Sequence, residues 1–441
     1  MWKIMDIPKT VEDVELYCER VISLLEEWSW LYQYRATEIL LSELLSSESL
    51  KLMENLDDHS LSQVPFGLVQ SSWPQQLRFF VEECVRLTLK IPVRQSQPVK
   101  LTVPNKLRKC TSMKKQHEID ELAPYIMEHC LQSSISRIYD IGSGLGYIDR
   151  ILATTGGLSI VGVELDSCKI EGAIKLNKEL LEQNQSSNII YIACRLDEEN
   201  LEHICEQLQC YKENGCLVGL HACGDLSAVS LRLFLKMNSI KSLMLMPCCY
   251  HKMVKMNSFP LSTVLKKKLD RKRVIINTNL LRIASECTRE RWCNQTEDLH
   301  KAHAFHVLAR AIVEKFLSEY GYKAKRKGRK CVSKQYRLSW TDYTSSWVDR
   351  HTVAAAEDGT LVPSEIVHAQ LVTYWAKYCH LVNRVIAYTC LQMCLQGVAE
   401  SLLIIDKLSY LTETGEFTVS AIRVTNPAVS PRSVAIVADK L

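Results

Sequence analysis

Asp140, Gly142, Gly144 and Gly146 fall at alternate positions of one short stretch, Arg-Ile-Tyr-Asp-Ile-Gly-Ser-Gly-Leu-Gly from Arg137 to Gly146. Without a Cβ, glycines at this spacing let a backbone turn sharply and lie close against a ligand. The apolar residues leading into the turn have strand character, and Tyr147 to Ala153 is compatible with a helix. Leu158 to Glu164 is a second strand candidate that ends in an acid, 24 residues after Asp140. That is near the roughly 20-residue offset at which a βαβ unit sets a carboxylate against a ribose hydroxyl. The chemistry predicted is capture of a nucleoside-bearing ligand; the plain alternative is a glycine-rich connecting loop.

The spacing narrows the ligand class. A dinucleotide fingerprint reads G-x-G-x-x-G, with a helix N-terminus aimed at a pyrophosphate. Here the third glycine comes one residue early, and an acid stands two residues before the first. This arrangement suits a ligand with a cationic amino-acid end and no phosphate, a description that S-adenosylmethionine meets. Asp140, Gly142, Gly144, Gly146 and Glu164 are the expected cofactor contacts, with Asp197 beyond the third strand candidate added to them.

A second constellation lies further on. In an open α/β sheet the ligand sits beyond the carboxyl ends of the strands. The strand candidate Gly215 to Leu220 is followed by His221-Ala222-Cys223-Gly224-Asp225-Leu226, and the candidate Ser242 to Met246 by Pro247-Cys248-Cys249-Tyr250-His251-Lys252. Three chemistries fit. A zinc site could use Cys223, Cys248, Cys249 and a histidine, although adjacent cysteines suit one tetrahedral ion poorly and no Cys-x-x-Cys pair lies here. Cys248 could be a nucleophile activated by a nearby histidine and directed at a pyrimidine ring. The reading adopted is a shaped polar pocket, with no metal assigned, in which His221, Asp225 and Tyr250 position substrate or cofactor. Ahead of the first strand, Lys115, His117 and Glu118 either lie over the cofactor pocket or form an exposed helical turn.

The elements that must position these residues follow from periodicity. Lys115 to Cys130 reads as a helix entering strand one, and Asn188 to Cys194 as strand three. Strands alternating with helices predict an α/β fold with a doubly wound, Rossmann-like parallel sheet. Residues 1–100 form a helical N-terminal region, 101–290 the binding core, 291–411 a helical insertion, and 412–441 a C-terminal hairpin, Glu416 to Val424 and Ser433 to Ala438, that completes the sheet. A length of 441 residues fits two to three domains, and 47% hydrophobic with 24% charged residues is ordinary for a globular chain.

The net charge of +4 demands no nucleic acid, but six of eight residues are basic in both 266–273 and 323–330. Such runs contact phosphate, act as nuclear-targeting signals, or are simply solvated; RNA is therefore the expected partner and DNA is not. Eighteen cysteines, with no apolar signal core at Met1 to Asp6, predict a reducing intracellular location, cytoplasmic or nuclear. Val385 to Leu408 is largely apolar, but Gln392, Gln396, Glu400 and Asp406 interrupt it, which favours a buried helix over a membrane span.

Taken together, Met-Lys-Lys-Gln-His-Glu-Ile (113–119), Asp-Ile-Gly-Ser-Gly-Leu-Gly (140–146), Leu-His-Ala-Cys-Gly-Asp-Leu (220–226) and Pro-Cys-Cys-Tyr-His (247–251) resemble the methyltransferase-like 25 family. Its members are also described as ribosomal RNA adenine dimethylase domain-containing proteins. Ser430-Pro431-Arg432-Ser433 resembles that family's C-terminal Ser-Pro-Arg motif, so the resemblance spans roughly residues 100–441. It implies a class I methyltransferase fold and methyl transfer from S-adenosylmethionine, with Asp140 and the three glycines around the methionine end and Glu164 on the ribose. RNA is the substrate class the family's naming implies, and His221 or Asp225 is the candidate for removing a proton. Enzymes that methylate adenine amino groups carry Asn/Asp-Pro-Pro-aromatic after strand four to hold a flipped base; this chain has His221-Ala222-Cys223-Gly224 there. Two other readings stand beside this one: a methyltransferase-fold binding module for RNA or protein, and covalent cytosine methylation through Cys248.

Overall fold

Apolar runs separated by helices pair as parallel strands when both faces of the sheet are covered. The computed structural model describes residues 6–94, 103–104, 107, 111–181, 188–211, 213–254, 258–272, 274–328 and 339–441; of the residues in the basic runs, Arg273, Arg329 and Lys330 lie outside them. β1 (Arg137–Ile141), β2 (Ser159–Glu164), β3 (Ile189–Ala193), β4 (Gly215–Cys223) and β5 (Ile240–Cys248) run parallel. β6 (Tyr322–Arg326), β7 (His351–Ala355) and β8 (Leu361–Val362) make a small antiparallel sheet. β9 (Phe417–Arg423) and β10 (Val434–Lys440) form the closing hairpin, with β10 antiparallel to β5.

The main sheet has the order β3-β2-β1-β4-β5-β10-β9. Its winding reverses between β1 and β4, and that reversal opens a crevice at the carboxyl ends of the two central strands. Around it lie helices α1 (Val11–Glu27), α2 (Gln75–Leu87), α3 (Met113–Gln132), α4 (Tyr147–Gly156), α5 (Asp225–Lys236), α6 (Thr263–Arg271), α7 (Glu297–Glu319) and α8 (Val382–Thr414).

Side chains alternate across the strands and so build two cores. Ile138, Ile160, Val218 and Met244 face α3 and α4, packing with Ile119, Leu122, Ile126, Ile148 and Leu152. Tyr139, Val161, Leu217 and Leu243 point the other way into a larger core shared with α5, α7, α8 and the N-terminal helices. The N-terminal helices are therefore part of that core. Tyr388 Oη and Gln392 Nε2 on α8 donate to Leu31 O at 3.0 and 2.7 Å, and Leu89 N donates to Ser401 Oγ at 3.0 Å. By length and composition Ser364–Thr414 could cross a membrane, yet 83% of its most apolar window is buried inside the protein.

Two sequence expectations change. The region 291–411 is not wholly helical, because it contains β6, β7 and β8. β6 is Lys- and Arg-rich and almost entirely exposed, the composition that guards a sheet edge and leaves no apolar alternation to read. The basic run at 266–273 is partly consumed within the fold: Lys268 on α6 lies 3.4 Å from Glu15 and 3.5 Å from Glu19 on α1, and Lys272 lies 4.0 Å from Glu26.

Asp406, fully buried on α8, fixes the chain as it returns from β5. Its carboxylate accepts from Leu261 N at 2.8 Å, Ser262 N at 2.9 Å and Ser262 Oγ at 2.8 Å. Asp406→Ala leaves these donors and the buried Lys407 ammonium without a carboxylate, and is expected to cost about 3–5 kcal/mol in denaturant unfolding. A loss below about 1 kcal/mol, the range of a surface substitution, would show that the tether does not matter.

Candidate functional site

The turn between β1 and α4 is held in a conformation suited to glycine. Gly142, Gly144 and Gly146 have φ of 76°, 60° and 64°, the left-handed region in which a Cβ is strained. At Gly146 a Cβ would also overlap the Tyr191 hydroxyl. Gly142 N donates to Val163 O at 2.8 Å, and Gly144 N to Glu164 Oε2 at 2.9 Å. The carboxylate that ends β2 thus fastens the turn that follows β1. Glu164 Oε1 accepts from Asp166 N at 3.1 Å and pairs with Lys169 Nζ at 3.3 Å. A carboxylate has about four acceptor positions, so Glu164 keeps one open.

Beneath the turn two buried carboxylates come together. Burial pushes Asp140 well above the usual carboxylate range, and the neighbouring Asp149 charge pushes it further. Asp149, on the first turn of α4, is pushed up to about 6, chiefly by burial. It lies near Asp140 and near the Tyr191 hydroxyl, but neither contact has hydrogen-bond geometry. Both Asp149 oxygens, Tyr191 Oη and Ser143 Oγ are left without a hydrogen-bond partner among the described residues. Buried polar groups are ordinarily hydrogen-bonded, so unpartnered ones of this kind call for an explanation. Lys115 Nζ sits 4.4 Å from the centre of the Tyr147 ring beside this cluster; burial lowers its ammonium while Asp140 and Glu118 pull it back up. The residues therefore fit a ligand with a cationic amino-acid end and a ribose.

The second edge of the crevice is built on β4, which runs on through Cys223. His221, Ala222 and Cys223, read above as loop residues, are strand residues. A β-bulge between Gly219 and Ala222 leaves His221 exposed between buried Leu220 and Ala222, a typical use of bulges beside active sites. His221 Nε2 lies 3.1 Å from Glu118 Oε2 on α3. With a carboxylate as acceptor, Nε2 is assigned the hydrogen and Nδ1 is left free to take a proton.

Glu118 is 1% exposed and also accepts from Ser430 Oγ at 2.6 Å. Burial alone would raise its carboxyl, but the bonds from His221 and Ser430 outweigh burial and hold it below the ordinary glutamate value. His117 Nε2 accepts from Asn426 N at 3.3 Å, which turns it toward the C-terminal loop. Arg432 bonds to Ser285 O, to Glu286 O at 3.2 Å and to Glu400 at 3.5 Å. The Ser-Pro-Arg tail thus ties the crevice wall to the helical layer.

The other predicted residues take different roles. Asp225, the other candidate for removing a proton, opens α5 and accepts from Val254 N at 3.1 and 3.3 Å, which closes the loop after β5 onto β4. Gly224 (φ 57°) makes this closure possible, since a Cβ there would stand 2.7 Å from Lys252 O. Asp197 shapes the turn after β3, accepting from Asn200 N at 3.0 Å and pairing with Arg195 at 3.0 Å. Cys223 Sγ and Cys248 Sγ are 2.9 Å apart, and Cys249 Sγ lies within 4.8 Å of both. The bond to Cys223, then burial, pushes the Cys248 thiol up. The same bond pulls the more exposed Cys223 down to about 6. Cys248, the expected nucleophile, is thus buried against Cys223, the more exposed of the two.

Asp149 and Tyr191 carried no signal of their own in the sequence, and Ser430 was visible only as part of the Ser-Pro-Arg motif, with no role attached. The depressed Glu118 carboxyl sets a pH dependence: its contribution to stability is complete above the ordinary glutamate range and is lost as pH falls through the lower folded value. Glu118→Gln is expected to reduce the acid-side loss of stability relative to the native chain, measured as unfolding midpoints across acidic pH. Identical acid profiles would contradict the assignment.

Comparison with known proteins agrees with this geometry. Residues 114–256 match the model of a methyltransferase domain family. The human protein described as probable methyltransferase-like protein 25 is 28% identical over 244 residues, 52% of this chain and 37% of the relative. Its mouse counterpart is 25% identical over 251 residues, 52% of this chain and 38% of the relative. The chain thus spans well under half the length of either. Among solved structures, the methyltransferase domain of bacterial CtHen1 covers 50% of this chain and 94% of its own length at 11% identity, with a TM-score of 0.23; a score that low carries no argument. Residues 114–256 thus match a methyltransferase domain family and lie on a doubly wound, Rossmann-like sheet closed by the C-terminal hairpin, and about half of the chain is similar to methyltransferase-like protein 25.

Proposed function

We propose that this domain transfers a methyl group from S-adenosylmethionine to an acceptor held at the carboxyl ends of β4 and β5. The observation that carries the reading is the left-handed glycine turn, fastened by Glu164 above the unpartnered carboxylate of Asp149 and its buried neighbour Asp140. Asp140 and Asp149 offer negative charge to an ammonium group, and Glu164 offers an acceptor to a ribose hydroxyl. The cofactor supplies a methyl group that is already electrophilic on its sulfonium, so alignment and proton removal are what the protein adds. His221, held through Nε2 by Glu118, presents Nδ1 to take a proton from the acceptor. Glu118 acts through His221 and is a positioning residue.

RNA is the acceptor class we favour. The exposed basic side chains of Lys323, Lys325, Arg326 and Lys327, on and just after β6, support it. Lys268 and Lys272 support it less, because they pair with α1.

Asp140→Ala is expected to abolish S-adenosylmethionine binding in calorimetry, and unchanged affinity would overturn the cofactor assignment. Asp149 keeps its proton up to pH of about 6, while burial holds the Asp140 carboxyl well above the usual range; with Asp149 protonated the pair attracts a cation less. Cofactor affinity is therefore expected to rise as pH increases through about 6 and to lose that dependence in Asp149→Asn; a flat profile in the native chain would contradict the pair's role. His221→Asn is expected to leave cofactor affinity unchanged and to lower turnover by about 10²–10⁴-fold. Undiminished turnover in that variant would remove His221 from the mechanism.

A further inference from the structure

The objection to a metal in this chain was that Cys248 and Cys249 are adjacent, and adjacent side chains on a strand point to opposite faces. The structure removes that objection. Cys249 has φ 48°, one of three non-glycine residues with positive φ among those described. Such a conformation is uncommon outside glycine and is maintained only where the surroundings demand it. It turns the end of β5 so that the Cys249 sulfur falls back beside that of Cys248. Cys223 is the register partner of Cys248 across the β4–β5 pair, and Gly224 N donates to Cys248 O at 3.1 Å to lock the two strand ends together.

The three sulfurs therefore converge from two strand ends, each within 4.8 Å of the others. Three thiolates on one zinc ion at about 2.3 Å stand roughly 3.8 Å apart. The separations here, 2.9 Å for one pair and at most 4.8 Å for the rest, bracket that value, so shifts of roughly 1 Å or less would seat an ion. A disulfide needs only two sulfurs and gives the third no reason to be there.

We propose that Cys223, Cys248 and Cys249 form a three-thiolate site for one thiophilic metal ion, zinc by its donor set, beside the cofactor crevice. Three soft sulfur ligands select zinc over hard cations such as magnesium or calcium. Cys223 and Cys249 are partly exposed, so the fourth position is reachable by water, the arrangement of zinc sites that keep one position open. The site is independent of methyl transfer, and its test uses no cofactor.

Full-length protein, reduced and stripped with a chelator, is titrated with cadmium as a spectroscopic stand-in for zinc and followed by the thiolate-to-metal charge-transfer band. One equivalent is expected to bind through three thiolates. Cys223→Ser and Cys249→Ala are each expected to weaken that equivalent by more than about tenfold, since even outer-sphere substitutions cost 10–100-fold. Cys168→Ser, at an exposed thiol on another helix, is expected to change nothing. Circular dichroism of each stripped variant confirms that it is folded. Binding that survives Cys223→Ser and Cys249→Ala combined in a folded chain would overturn the proposal. So would a reduced native chain that takes no metal and instead closes a Cys223–Cys248 disulfide under mild oxidant.

Discussion

The site depends on one backbone constraint, the left-handed turn at Gly142, Gly144 and Gly146. Three successive departures from ordinary φ bring Gly144 N onto Glu164 and bring the start of α4 down over Tyr191. The consequence is chemical as well as geometric. Asp149 enters on α4 beneath the turn, where it meets buried Asp140 with no hydrogen-bond donor on either of its own oxygens among the described residues. A fold does not keep an unsatisfied acidic pair for stability, because unpartnered buried polar groups oppose folding. In the proposed function the pair is a cradle for a cation, with both carboxyls raised chiefly by burial.

The opposite wall of the crevice comes from distant parts of the chain. Glu118 from α3, His221 from the bulge in β4 and Ser430 from the C-terminal loop form a single hydrogen-bonded row. Arg432, two residues on, reaches the helical layer, and Asp406 in that layer holds the segment returning from β5. The helical regions flanking the methyltransferase domain are thus mechanically joined to it. The N-terminal helices share their core with α8, and α8 holds both the tail and the strand-five loop.

What the sequence disclosed and what it hid follow from the range of the interactions. The glycine turn was legible because left-handed φ demands a residue type. The strands were legible because burial on both faces makes them continuous apolar runs. The closing hairpin declared itself by strand signals returning after a long helical stretch. β6 was hidden because an edge strand defended by lysines looks like a charged loop. The extension of β4 was hidden because His221 at a bulge interrupts the apolar run. Asp149 and Tyr191 act only through neighbours brought by tertiary packing, and no local pattern encodes those; the Ser-Pro-Arg motif marked Ser430 but not its bond to Glu118. The pairing of Lys268 with Glu15 and Glu19 likewise needed the two helices side by side. Cys249 is the sharpest instance: adjacency in sequence argued against convergence with Cys248, and a single backbone angle reversed the argument.

The central claim is that this crevice carries out methyl transfer. It is tested most directly by incubating the purified full-length chain with S-adenosylmethionine labelled in its methyl group and with fractionated RNA and protein from cells lacking the chain. The account predicts that label enters a macromolecular fraction, RNA in the reading favoured here, and that Asp140→Ala abolishes its incorporation. Saturable cofactor binding with no label transferred to any fraction would contradict it and leave the fold as a binding module.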